Sequence, residues 1–200
     1  MSGLVDTIMS QLGDDKISAI AAQLGTDPAQ ARNAIEHALP LIVGGMAQNA
    51  STQPGADALH NALGAHAGSD IGSVLGSMLG GNESGIGNAI LGHIFGSKQS
   101  AATQGLGQTS GLGQQTAGQL LSILAPIVMS ALANHVQNQN MNAGGLGGML
   151  AQEGQQIQQQ GGLAGGLLSA VLGHQGGSLD LSGLLKGAGG LLAAFTRRQT

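Results

Sequence analysis

The stretch Leu120 to Ala133, Leu-Leu-Ser-Ile-Leu-Ala-Pro-Ile-Val-Met-Ser-Ala-Leu-Ala, carries no charge and is apolar on nearly every side. Such a segment has to be buried. At this length it falls short of the roughly 20 apolar residues that span a bilayer, so the expectation is a central core helix with the rest of the chain packed around it. Pro126 lies in its interior, where it removes one backbone hydrogen bond and crowds the carbonyl of Ser122, which predicts a kink.

A weaker copy lies 86 residues earlier: Ala38-Leu39-Pro40-Leu41-Ile42-Val43-Gly44-Gly45-Met46-Ala47 aligns with Leu124 to Ala133, proline over proline. The pair implies a duplicated plan with two Pro-kinked core helices. Material for packing around them is unusual. The chain has 37 Gly, no Trp or Tyr, and only Phe95 and Phe195 as aromatics, so its contacts must be close and aliphatic.

Apolar spacing predicts helices along the whole chain and β alternation nowhere, which makes the expected class all-α, a multi-helix bundle. Leu4, Val5, Ile8 and Leu12 form a first stripe closed by Gly13; Ile17, Ile20, Ala21 and Leu24 form a second closed by Gly25. Thr26-Asp27-Pro28 then supplies an N-cap and a first-turn proline for a helix reaching about Ala50. Ser51 to Gly55 reads as a loop before a short helix over Asp57 to Leu63. Ser69-Asp70 caps a helix bearing Ile71, Val74, Leu75, Met78 and Leu79, and the next helix places Ile86, Ala89, Ile90, His93 and Ile94 on one face and ends at Gly96. Gln104 to Gln115 reads as a loop. The expected divisions are a helical domain over 1–134, a Gln/Asn/Gly-rich linker over 135–162 and C-terminal helices over 163–200, including a last apolar run from Leu184 to Phe195.

Chemistry is sparse. Lys and Arg number six against ten Asp and Glu, a net charge of −4, which disfavours a phosphate-binding surface. Absent cysteine removes disulfides, zinc thiolates and cysteine nucleophiles. The start has Asp6 and no basic n-region, so the expected location is cytoplasmic. Ala21, Gly25 and Ala31 match helix-turn-helix spacing, but the reading helix would offer DNA only Gln30, Arg32 and Asn33, with Asp27 and Glu36 repelling phosphate. The six histidines, at 37, 60, 66, 93, 135 and 174, show no metal-ligand spacing with a carboxylate, so neither metal nor cofactor is expected. Ala89-Ile90-Leu91-Gly92-His93 resembles Ala170-Val171-Leu172-Gly173-His174, which makes His93 and His174 candidates for capping helix-terminal carbonyls or for a pH-sensitive contact. Gly72, Gly76 and Gly80 fall on one helix face and are the candidate helix-contact surface, within the fold or between copies. No nucleophile motif or phosphate loop is present, and an enzyme is not expected.

Gln23-Leu24-Gly25-Thr26 with Ala38-Leu39-Pro40, the segment Gly85 to Gln99 and Leu124-Ala125-Pro126-Ile127-Val128-Met129 together resemble the bacterial family catalogued as domain of unknown function 937. The resemblance covers about the first two thirds of the chain and implies a bacterial helical protein with no activity to carry over. Family members often have an acidic, glycine-rich turn before the last helix, where this chain retains only Asp180 between Gly176 and Leu181. The expected function is a non-enzymatic interaction or scaffold module with an unknown protein partner, including possible self-association. A helix-turn-helix DNA binder is the alternative. Nucleic-acid and membrane partners are disfavoured, the latter by the missing Lys/Arg face.

Overall fold

The computed structural model describes residues 3–64, 66, 68–80 and 84–159. Among these, eight α-helices and one 3-10 turn form an all-α bundle, without strands: α1 (Leu4–Leu24), α2 (Pro28–Asn49), α3 (Gln53–Gly64), α4 (Ile71–Leu79), α5 (Ser84–Phe95), the turn Gly96–Lys98, α6 (Gln99–Ser110), α7 (Gln114–Asn138) and α8 (Ala143–Gln159). Helix α7 is the centre, and every position from Ile123 to Ala133 is buried. Helix α2 lies against it, buried without interruption from Ala38 to Met46.

Local chemistry accounts for most boundaries. Gly13 keeps α1 from being one regular helix, since its φ of 62° and ψ of 172° break the spiral between the two expected stripes. Gly25 takes the left-handed conformation that suits glycine at a helix C-terminus (φ 66°), and the Asp27 carboxylate accepts from the backbone N–H groups of Ala29 and Gln30 at 2.9 and 3.0 Å. Asp70 caps α4 in the same way through Ser73 N at 3.2 Å. Helix α3 begins at Gln53, earlier than the sequence implies, because Pro54 is tolerated in a first turn whose N–H groups have no intrahelical partner.

The 86-residue register extends beyond the apolar copies. Gly111, at φ 72°, ends α6 as Gly25 ends α1, Gly113 occupies the N-cap position that Asp27 occupies, and Pro126 corresponds to Pro40. Both helices continue through their prolines, each of which is buried inside its helix.

Three expectations change. Gln104 to Gln115 is not a loop through most of its length, because α6 runs to Ser110 and buries Ala102 and Leu106 against α7 and α2. The segment 143–159, expected within a linker, is helix α8. Its Leu146, Leu150, Gly154 and Ile157 recur at helical spacing and are buried, and Gly147 and Gly154 let it approach Ala50 O and the Ala47 methyl. Its Glu153 accepts from Leu4 N at 3.0 Å, satisfying a first-turn N–H of α1 from the far side of the sequence. Residues 163–200, expected as C-terminal helices, lie outside the described residues.

The third change concerns α5. Its buried positions are Gly87, Leu91, Ile94 and Phe95, whereas Ile86 is 44% exposed and Ala89 and His93 are also exposed. The helix is turned so that a glycine faces α7. A Cβ at Gly87 would collide with the Ser122 carbonyl and come within 3.0 Å of Ser122 Cα. That carbonyl is the one that Pro126, lacking an N–H, leaves without its usual intrahelical donor. The Gly87 Cα–H therefore points at an oxygen free to accept it, a contact worth about 0.5–1 kcal/mol.

Candidate functional site

Turning α5 opens a groove between it and α3. Helix α3 contributes Gly55, Ala58, Leu59 and Ala62, which fall at i, i+3, i+4 and i+7, and α5 contributes Ile90, His93 and Ile94. The floor is Met46 of α2 and Met129 of α7, both buried. The cavity is about 370 Å³, and its lining contains no Asp, Glu, Lys or Arg. Its polar groups are Asn49, His66 and His93.

The walls are held in place from behind. Ala56 and Leu63, on the adjoining side of α3, are buried, and α3 packs chiefly on α8. His60 contributes to the same junction, its Nε2 lying 3.1 Å from Met141 O. Asn49 fixes the end of α5 by donating from Nδ2 to the carbonyls of His93 and Ile94, each at 2.9 Å. Gly45 lets α5 settle onto α2, since a Cβ there would stand 2.6 Å from Ile94 Cγ2 and 2.9 Å from Phe95 Cε1. This frame surrounds two buried methionine side chains, unbranched and polarizable, at the base of the groove.

The residues singled out from the sequence lie in different places. Gly76 and Gly80 are exposed and Gly72 is half-buried; a Cβ at Gly76 would meet no described atom within 4 Å. Close backbone approach within the described residues occurs at Gly87 and at Gly107, where a Cβ would stand 3.0 Å from Leu112 O. His93 is exposed on the groove rim, and the carbonyls at its helix end are met by Asn49. His174 lies outside the described residues. Other histidines meet carbonyls that are not helix-terminal: His60 Nε2 lies near Met141 O in the connection before α8, and His37 Nδ1 is 2.7 Å from Asn33 O one turn back in α2.

The turn between α1 and α2 has its polar groups engaged within the chain. Arg32 pairs with Asp14, Gln30 donates to Gly111 O at 3.3 Å, and the Thr26 hydroxyl donates to Gln30 Oε1 at 2.6 Å. Among the described residues no three of His, Asp and Glu converge as metal ligands. A second cavity of about 270 Å³ lies where α5 meets α7, and there the Ser122 hydroxyl donates to Asn88 Oδ1 at 2.8 Å. By length and mean hydropathy α7 would suffice to cross a membrane, being 25 residues long rather than the shorter core visible in the sequence, but 78% of its most apolar window is buried inside the bundle.

The fold and its groove define a class: an all-α bundle built on two related core helices, with an uncharged apolar cleft held open beside them. Over residues 6–135 the chain matches the family described as "Bacterial protein of unknown function (DUF937)", and it belongs to that family. No curated protein and no solved structure matches it. The α3/α5 groove lies within the matched span. No single sequence motif marks it, because its lining comes from four helices and part of it follows from the rotation of α5 that Gly87 permits.

Proposed function

We propose that this protein is a non-enzymatic interaction module whose contact surface is the groove between α3 and α5. The observation that carries the reading is the groove itself: a preformed, uncharged apolar cleft over a methionine floor, with few polar groups and none arranged as a nucleophile and base. A groove between two helices suits an amphipathic helix laid along it, with apolar side chains at i, i+3, i+4 and i+7 entering between the walls. A cytoplasmic place of action belongs to the same proposal.

The test compares three full-length proteins as bait in lysate of the host. Ala62→Arg puts a charge on the exposed wall of the groove, and Ser100→Arg puts the same charge on the exposed surface of α6. Partners retained by the parent and by Ser100→Arg are expected to be lost from Ala62→Arg, with far-UV circular dichroism unchanged in both variants. Retention of the same partners by Ala62→Arg would remove the groove from the proposal.

A further inference from the structure

We propose that the groove between α3 and α5 is occupied by the chain's own apolar segment Leu184 to Phe195, docked within the same molecule. The inference rests on the reading of that groove as a binding surface and names its resident occupant, so that any outside partner has to displace it.

Three observations lead there. The first is what the segment carries. Leu184, Ala188, Leu191 and Phe195 fall at i, i+4, i+7 and i+11, the spacing of one helix face, with Leu185 and Leu192 beside them and Lys186 and Arg197 on the opposite side. An exposed helix with that face would be a liability, and groove binding is the ordinary way to bury it. Of the chain's two aromatic side chains, Phe95 is already buried in the bundle; Phe195 is the other.

The second observation is reach. The described chain stops at Gln159, on a helix antiparallel to α2, as Gly147 beside Ala50 and Gly154 beside Ala47 show. Its end therefore points away from the Asn49 end of the groove. Leu163, only a few residues further on, is poorly placed to return there, but residues 160–183 could span up to about 80 Å when extended, at some 3.3–3.6 Å per residue. The later segment has the length to reach the groove, and the ordering cost rises only slowly with that length.

The third is charge. The groove lining is uncharged, matching the apolar face of the segment, while the described bundle carries eight carboxylates against three basic side chains. Lys186, Arg197 and Arg198 give the segment and its end the opposite sign, which favours its approach over that of an acidic helix.

Absence of Cys, Trp and Tyr makes the experiment clean. In the full chain, Ala62→Cys with Leu192→Cys is oxidised at several protein concentrations beside a control pair, Ser100→Cys with Leu192→Cys. The groove pair is expected to form an intramolecular disulfide at a concentration-independent rate at least ~10-fold above the control, as a segment with a preferred intramolecular site should. Equal rates for the two pairs, or no disulfide, would overturn the proposal. Concentration-dependent dimers through the groove pair would also overturn it and assign the groove to a second copy. As an independent readout that forms no bond, Phe195→Trp introduces a single tryptophan. Its emission should be that of a buried indole and should shift red when Ala62→Arg is added; an emission typical of exposed indole in both proteins would count against docking. If docking fails while Ala62→Arg still abolishes capture of an outside partner, the groove remains a binding surface and only its resident occupant is wrong.

Discussion

The hairpins α1–α2 and α6–α7 share one plan, a left-handed glycine, a short turn and a core helix with a proline in register, yet they are finished differently. Pro126 leaves the Ser122 carbonyl without a donor, and α5 covers it with Gly87. Pro40 does the same to the carbonyl of Glu36, but that residue is exposed and no close approach of another backbone is needed there. At the next matched pair the roles reverse. Gly45 must lack a side chain because Ile94 and Phe95 press on it, while its counterpart Ala131 carries one. Ser130, the counterpart of Gly44, is fully buried and donates its hydroxyl to Ser69 O at 2.5 Å, holding the loop before α4. A repeated sequence thus sets up the same local backbone problem twice, and the neighbouring helix determines which residue solves it.

The harshest test of the shared plan is a charge at its centre. Leu124→Asp places an unpaired carboxylate at a position with no exposure, which should cost several kcal/mol and leave the chain unfolded by circular dichroism. Ala38→Asp, at the matching position of α2, should do the same; survival of either variant with the parent's melting temperature would show that the two helices are not equivalent cores.

A smaller effect separates the two proline sites. Gly87→Ala forces a methyl group onto the Ser122 carbonyl and should destabilise by about 1–3 kcal/mol, read as a lower urea midpoint at unchanged slope. Removing the proline ring instead, by Pro126→Ala, should not rescue that loss, since the collision is with the oxygen itself. An unperturbed Gly87→Ala midpoint would mean that α5 does not sit close to α7.

The turns give the next contrast. Asp27→Ala should lose about 1 kcal/mol with its two capping hydrogen bonds, whereas Gly113→Asp, at the matched site where no side chain caps the helix, should gain only roughly a few tenths of a kcal/mol, since glycine is itself a tolerated N-cap. Thermal unfolding of the two variants and their combination will show whether the caps are independent. A modest gain is also expected on α4. Gly76 lies in a helix with open space around it among the described residues, so Gly76→Ala should stabilise by about 0.5–1 kcal/mol. A loss of stability, or a change of mass by light scattering, would instead point to a close contact on that face.

How much of this was readable beforehand differs from helix to helix. Leu120 to Ala133 dictates its own burial because no orientation hides so many apolar side chains from water except the interior. Gly13, Gly25, Asp27 and Asp70 set helix limits through φ preferences and hydrogen bonds that reach only a few residues, which is why they could be recognised without the fold. Helices α6 and α8 could not be recognised that way. Their glycines and glutamines are poor or neutral on a helical scale, and only burial of Ala102 and Leu106 against α2 and α7, and of Leu146, Leu150 and Ile157 against α2 and α3, repays the ordering of those segments. The facing of α5 was hidden for a related reason. Ile86, Ala89 and Ile90 look like an inward stripe by hydrophobicity, but the helix buries Leu91, Ile94 and Phe95 instead, and that facing is possible only because Gly87 leaves room for the Ser122 carbonyl of another helix. The groove inherits that dependence: its side chains are written in the sequence, but their meeting in one place is decided by a helix–helix contact between residues 35 positions apart.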